Sequence, residues 1–233
     1  MTRMIPLLAM IALGACSAQP QILKKQDDPK FPAAARPVAQ IVSPRWSDEP
    51  TRDKSNEAVE VMDRAGIMPG MTVADIGAGE GYYTVRLSKR VGKNGRVLAE
   101  DVTPGTRDAL AERVARDALE NVSVKLGYPD NPRLPENFDR VMMVHMYHEI
   151  ASPYAFLWYL RPSVKPGGRV IVVDADRPTT QHGTPPALLK CELAAVGYKQ
   201  VDFQRMPSAG GYLAAFEVDG ARPEPGAIVP CKG

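Results

Sequence analysis

The chain has almost no excess of charge: 29 Lys and Arg stand against 27 Asp and Glu, for a net charge of +2. It also lacks a basic stripe with interleaved aromatics, so nucleic acid is not an expected partner, because phosphate binding needs concentrated positive charge. The N-terminal apolar run at residues 4–13 falls well short of the ~20 residues that a stable spanning helix requires. No internal repeat is visible, which argues against a solenoid. Histidine is scarce, with three in the chain. Two of them fall in His145-Met146-Tyr147-His148-Glu149, but that spacing is H-x-x-H-E rather than the helical H-E-x-x-H, and no third ligand is predictable. No metal is therefore expected. The nearby Met142, Met143 and Met146 read as strand packing.

What is present suits one domain. A length of 233 residues with 44% hydrophobic content supports one full core rather than two. Residues 1–15 read as an export signal: a short positive region, the apolar run, then Leu13-Gly14-Ala15-Cys16, which resembles a bacterial lipoprotein processing box. Lipidation of Cys16 would tether the chain to a bacterial membrane facing the periplasm; the alternative is a general secretory signal with a chance Cys. Residues 16–45 read as a Pro- and Ala-rich tether, 46–219 as the folded domain and 220–233 as a Pro-rich tail. Removing Cys16 leaves Cys191 and Cys231, an even number in an oxidising compartment. A Cys191–Cys231 disulfide is expected to tie the tail down, against the alternative of two free thiols.

Within the domain, strands are expected near residues 72–76, 96–101, 121–125, 138–145, 169–174, 200–205 and 211–218. Helical spacing covers 53–65, 82–91, 105–118, 153–161 and 185–196. Alternation of this kind implies an α/β fold with a mainly parallel sheet and helices on both faces. The short connection between the last two strands requires an antiparallel hairpin.

The most informative stretch is Val73-Ala74-Asp75-Ile76-Gly77-Ala78-Gly79-Glu80-Gly81-Tyr82-Tyr83. A strand runs into a loop with Gly at alternate positions, and a helix follows, so the backbone is able to pass close to a nucleotide-like ligand. The spacing is G-x-G-x-G, and Asp75 precedes the first Gly. A carboxylate there would repel a pyrophosphate and attract a ligand carrying an ammonium and a sulfonium. S-adenosylmethionine (SAM) carries both. The next strand ends in acid, with Asp101 the expected acceptor of ribose hydroxyls and Glu100 its substitute.

On these residues the chain resembles the class I SAM-dependent methyltransferases over about residues 52–218. Val164-Lys165-Pro166-Gly167-Gly168 resembles the family's turn before its fifth strand, and Phe138–Val144 its fourth strand. The resemblance implies a Rossmann-like sheet closed by a C-terminal antiparallel hairpin, and SAM as cofactor. It implies a cofactor site of Asp75, Gly77, Ala78, Gly79, Gly81, Tyr82, Asp101, Val102, Asp130 and His145, with Asp130 near the adenine amino group. Tyr147-His148-Glu149 and the Gly-Tyr-Tyr after the loop resemble a branch of small members often found with export signals.

Methyl transfer needs an aligned acceptor and, for protonated acceptors, a base. His148 is the first candidate for that base, with His182 across the same cleft as a second. Tyr147 or Tyr82 is a candidate to present its ring face to the cationic methyl group. The function expected is methyl transfer to a small-molecule or envelope acceptor. The competing reading, given that SAM is made in the cytoplasm, is a lipid-anchored binding protein that retains the nucleoside pocket without turnover.

Overall fold

The computed structural model describes residues 29–41, 48–135 and 137–232; the expected signal and the lipidation site Cys16 lie outside them. Among the described residues, thirteen regular elements run in the order α1 (Glu49–Lys54), α2 (Glu57–Arg64), β1 (Thr72–Ile76), α3 (Tyr82–Val91), β2 (Arg96–Asp101), α4 (Pro104–Arg116), β3 (Val122–Leu126), β4 (Phe138–Val144), α5 (Pro153–Leu160), β5 (Val164–Asp174), α6 (Pro186–Ala195), β6 (Tyr198–Met206) and β7 (Gly211–Val218), with short 3-10 turns between some of them. The strands form one sheet in the order β3-β2-β1-β4-β5-β7-β6. β1 to β5 pair in parallel, while β7 runs antiparallel to both β5 and β6. The strand order reverses between β1 and β4, which opens a crevice at their carboxyl ends where ligands of such sheets bind.

Both faces of the central strands are buried, so these strands read as continuous apolar runs whose alternate residues enter different layers. Ile76, Val141, Met143, Val170 and Val172 pack with Leu157 and Leu160 of α5 and Leu189 and Leu193 of α6. Val73, Met142, Ile171 and Val173 pack on the other side with Val61 and Met62 of α2 and Leu87 and Val91 of α3.

Three expectations need correction. The helix expected over 53–65 is broken at Asn56, whose left-handed φ of 56° turns the chain between α1 and α2. Part of the stretch expected as a tether is docked: Arg36 is buried, its guanidinium ion-paired with Glu192 of α6, and Ala39 N–H donates to the His148 carbonyl. Its sequence hid this because scattered single contacts hold it (the Arg36 ion pair, Phe31 against Trp158 and the Thr179 hydroxyl donating to the Pro37 carbonyl) rather than an apolar periodicity. The strand expected at 169 begins at Val164, since the Lys-Pro-Gly-Gly segment stays extended within β5. The Pro-rich tail packs on the domain as well, through a Cys191–Cys231 disulfide, a bridge between Ala35 and Lys232, and the bond from Trp158 Nε1 to the Pro223 carbonyl.

Candidate functional site

The glycine loop leaves the end of β1 with Gly77, Gly79 and Gly81 at φ of 65°, 55° and 89°. Left-handed backbone at three alternate positions explains why glycine recurs there. A Cβ on Gly77 would lie 3.0 Å from Met146 Cγ, and one on Gly81 would lie 2.5 Å from Leu110 Cδ1. Gly81 is also the N-cap of α3.

Three carboxyls gather around this loop. Asp75 is buried and accepts the Thr84 hydroxyl at 2.6 Å. Burial, opposed by that bond, raises its pKa to about 6. Asp101 accepts the Gly79 amide at 3.1 Å on one oxygen and the Thr103 amide at 2.8 Å on the other. Glu100 is buried beside it, and burial together with the Asp101 charge raises its pKa to about 8. Its carboxyl lies over Gly127, where a Cβ would sit 1.3 Å from Oε1, so a side chain there would displace the carboxyl. Ala78 joins the set through its amide, which donates to the Glu100 carbonyl at 2.9 Å. Val102 is half-buried next in sequence.

Charged groups from α1 and α2 close over the first turn of α3, and sequence reading missed them. Glu57 holds Arg52 through contacts of 2.6 and 3.0 Å and accepts the Tyr83 hydroxyl at 2.9 Å. Arg113 of α4 reaches both Glu49, at 2.6 Å, and the Glu80 carbonyl inside the loop, at 2.7 Å. Only the polar character of residues 49–57 signalled this, and it does not specify partners.

The other expected residues separate into distinct places. His145 follows β4 with a left-handed φ of 55°, and its buried side chain places Nε2 4.0 Å from Glu57 Oε1. Burial lowers its pKa, which favours the neutral ring. Asp130 is exposed in the turn between Tyr128 and Asn131, and with them and Phe31 lines a groove of about 440 Å³.

Tyr147 does not face a ligand cleft. It is fully buried, its hydroxyl donates to Glu192 at 2.8 Å, and the Arg36 guanidinium lies 5.6 Å from its ring centroid. The buried ion pair drew it inward. Tyr82 is also unsuited to hold a methyl cation against its ring, because Arg52 and Arg86 already lie 3.7 and 3.8 Å from the centroid. His148 is fully buried, with Nδ1 3.1 Å from each oxygen of Asp174 at the end of β5. His182 meets it edge-on, with ring centroids 5.5 Å apart.

Residues 73–168 match a family model described as a methyltransferase domain. A ubiquinone/menaquinone biosynthesis C-methyltransferase from Marinomonas sp. is 27% identical over 160 residues, covering 66% of this chain and 57% of the relative. A demethylmenaquinone methyltransferase from Staphylococcus aureus is 31% identical over 122 residues, covering 51% of this chain and 49% of its own length. The chain thus spans between about half and three fifths of these relatives. A crystal structure of a SAM-dependent methyltransferase from Aquifex aeolicus superposes with a TM-score of 0.62 at 25% identity, covering 73% of this chain and 97% of that one.

Proposed function

The chain contains a class I SAM-dependent methyltransferase domain, and from that premise we propose that it transfers a methyl group from SAM to a small-molecule or envelope acceptor. The observation that carries this reading is the set of Asp75, Glu100 and Asp101 around Gly77–Gly81. Three carboxyls in a buried setting repel one another, and a ligand with two positive centres relieves that repulsion. The donor and acceptor set therefore fits SAM, which when bound supplies an activated methyl on a sulfonium. The chain's own part is to position. Asp101, held by two backbone amides, is fixed to accept hydroxyls, and the three glycines hold the loop in left-handed turns at the end of β1. An envelope location is supported by the signal-like N-terminus and Cys16.

Titration of SAM into the full chain by calorimetry tests the reading. Asp101→Ala is expected to weaken SAM about 10- to 150-fold, the equivalent of losing charge-assisted hydrogen bonds worth about 1.5–3 kcal/mol. Unchanged affinity would remove Asp101 from the site, and absence of SAM binding by the folded wild type would overturn the function.

A second expectation concerns pH. The raised pKa values of Asp75 and Glu100 mean that the native state retains protons the unfolded chain has released. Their contribution to stability therefore falls as pH rises from the ordinary carboxyl range through about 6 and about 8. A cation reverses this cost, so the preference for SAM over S-adenosylhomocysteine, which lacks the sulfonium charge, is expected to grow from about pH 5.5 to about pH 8.5. A preference that is flat or falls with pH would place the carboxyls away from the sulfonium.

A further inference from the structure

The turn after β4 and the loop after β5 bring together a group of ligand-type atoms that the nucleoside pocket does not use. His148, Glu149 and His182 each offer one such atom, and these atoms lie within 4.8 Å of one another. We propose that His148 Nε2, His182 Nδ1 and the Glu149 carboxylate bind a divalent first-row transition metal ion of the zinc type.

The strongest observation is at His148. Its side chain is 1% exposed, and Nε2 is buried without a hydrogen-bond partner among the described residues. An unpaired buried ring nitrogen is costly, and such groups are uncommon without a ligand, ion or water to receive them. Its other nitrogen, Nδ1, is 3.1 Å from both oxygens of Asp174. Asp174 is itself fixed by the Ala175 amide at 2.8 Å and the Thr184 hydroxyl at 2.7 Å. With the proton on Nδ1 and donated to Asp174, the Nε2 lone pair points away from the carboxylate and is available to a metal. A carboxylate behind a histidine in this manner sets the ring's tautomer and raises its basicity as a ligand.

His182 supplies the second nitrogen. Its Nδ1 is likewise buried without a hydrogen-bond partner among the described residues. The residue takes a left-handed φ of 55°, uncommon outside glycine, and its carbonyl accepts Arg177 Nε and Nη2 at 3.1 and 3.0 Å. The backbone is thus held in a conformation that presents the ring edge-on to His148. Glu149 Oε1 lies 3.9 Å from His148 Nε2. Two bonds of about 2.0–2.1 Å at a tetrahedral angle would set that separation near ~3.4 Å, a closure well within a glutamate rotamer. Glu149 is 14% exposed at its side chain, which leaves a route for the ion.

Two imidazoles and one carboxylate, with a fourth position for water or an oxygen ligand, match the donor set of zinc-type sites rather than of calcium or magnesium, which favour oxygen. Sequence spacing set a metal aside because H-x-x-H-E lacked a third ligand. His182, rather than His145, completes the set. The inference concerns this site alone and does not depend on methyl transfer.

The test is to strip tag-free full-length protein with a chelator and titrate zinc against a chromophoric competitor, then cobalt with visible spectroscopy. One zinc per chain and tetrahedral-type cobalt bands are expected, with His182→Ala weakening binding more than ~100-fold and Asp174→Asn, which acts through His148, weakening it about 10- to 100-fold. Glu149→Gln, at a ligand whose side chain is 14% exposed, provides a second variant if His182→Ala fails to fold. No stoichiometric zinc in the wild type, or full affinity in whichever of the two ligand variants folds, overturns the proposal.

Discussion

Glu192→Ala is expected to destabilise the protein by about 3–5 kcal/mol, because it leaves a buried guanidinium without its counter-ion. Glu192 and Arg36 meet at 2.9 Å with side chains 0% and 1% exposed. The same carboxylate accepts the Tyr147 hydroxyl, so its removal orphans two buried donors. Arg36 also donates to the backbone carbonyls of Tyr147, His148 and Ile150 at 3.5, 3.4 and 3.3 Å. The loss should therefore reach the turn that carries His148. Urea unfolding monitored by circular dichroism measures the effect. A double variant, Arg36→Met with Glu192→Gln, should recover much of the loss, since methionine removes the charge and glutamine keeps an acceptor for Tyr147. If Glu192→Ala alone costs under ~1 kcal/mol, the docking of residues 29–41 is not held by this pair.

Replacing both disulfide cysteines, Cys191→Ser with Cys231→Ser, should cost about 2–4 kcal/mol. The bond closes a segment with a sequence separation of 40, for which the chain-entropy treatment gives a ceiling near ~4 kcal/mol. Besides the disulfide, the tail is held by the Ala35–Lys232 bridge, the Trp158–Pro223 bond, burial of Ile228 in the core, the Cys231 amide donating to the Tyr154 hydroxyl at 2.7 Å, and the Arg222 guanidinium 3.4 Å from the Trp158 ring centroid. Thermal unfolding should show a drop of about 5–15 °C in the double variant. The same drop should appear on reducing the wild type and be absent on reducing the variant. Equal melting of oxidised and reduced wild type would mean that packing alone anchors the tail.

The first of these falls on a pair that the sequence left nearly silent, whereas the disulfide, expected from an even cysteine count, and the sheet and glycine loop were legible from it. Local rules account for the difference. Apolar runs of strand length, glycines at alternate positions and acids at strand ends depend on neighbours along the chain, so Asp75, Gly77, Gly79, Gly81 and Asp101 stand out before any folding is known. Parallel order followed from the alternation of strands with helices, and the final hairpin from a connection too short for a helix.

Partner choice across the fold was different, because it depends on where loops meet in space. Tyr147 looked like a ligand-facing aromatic until Glu192 and Arg36, distant in sequence, turned it into the core. The sequence already put His148 and His182 across one cleft, and only the parallel pairing of β4 and β5 set Asp174 behind His148. The sequence by itself determined the architecture and the acid-and-glycine pocket, since both are written in local spacing. Only the tertiary structure decided which buried polar groups face one another, since burial removes water as a partner and leaves each such group to whatever the fold places beside it.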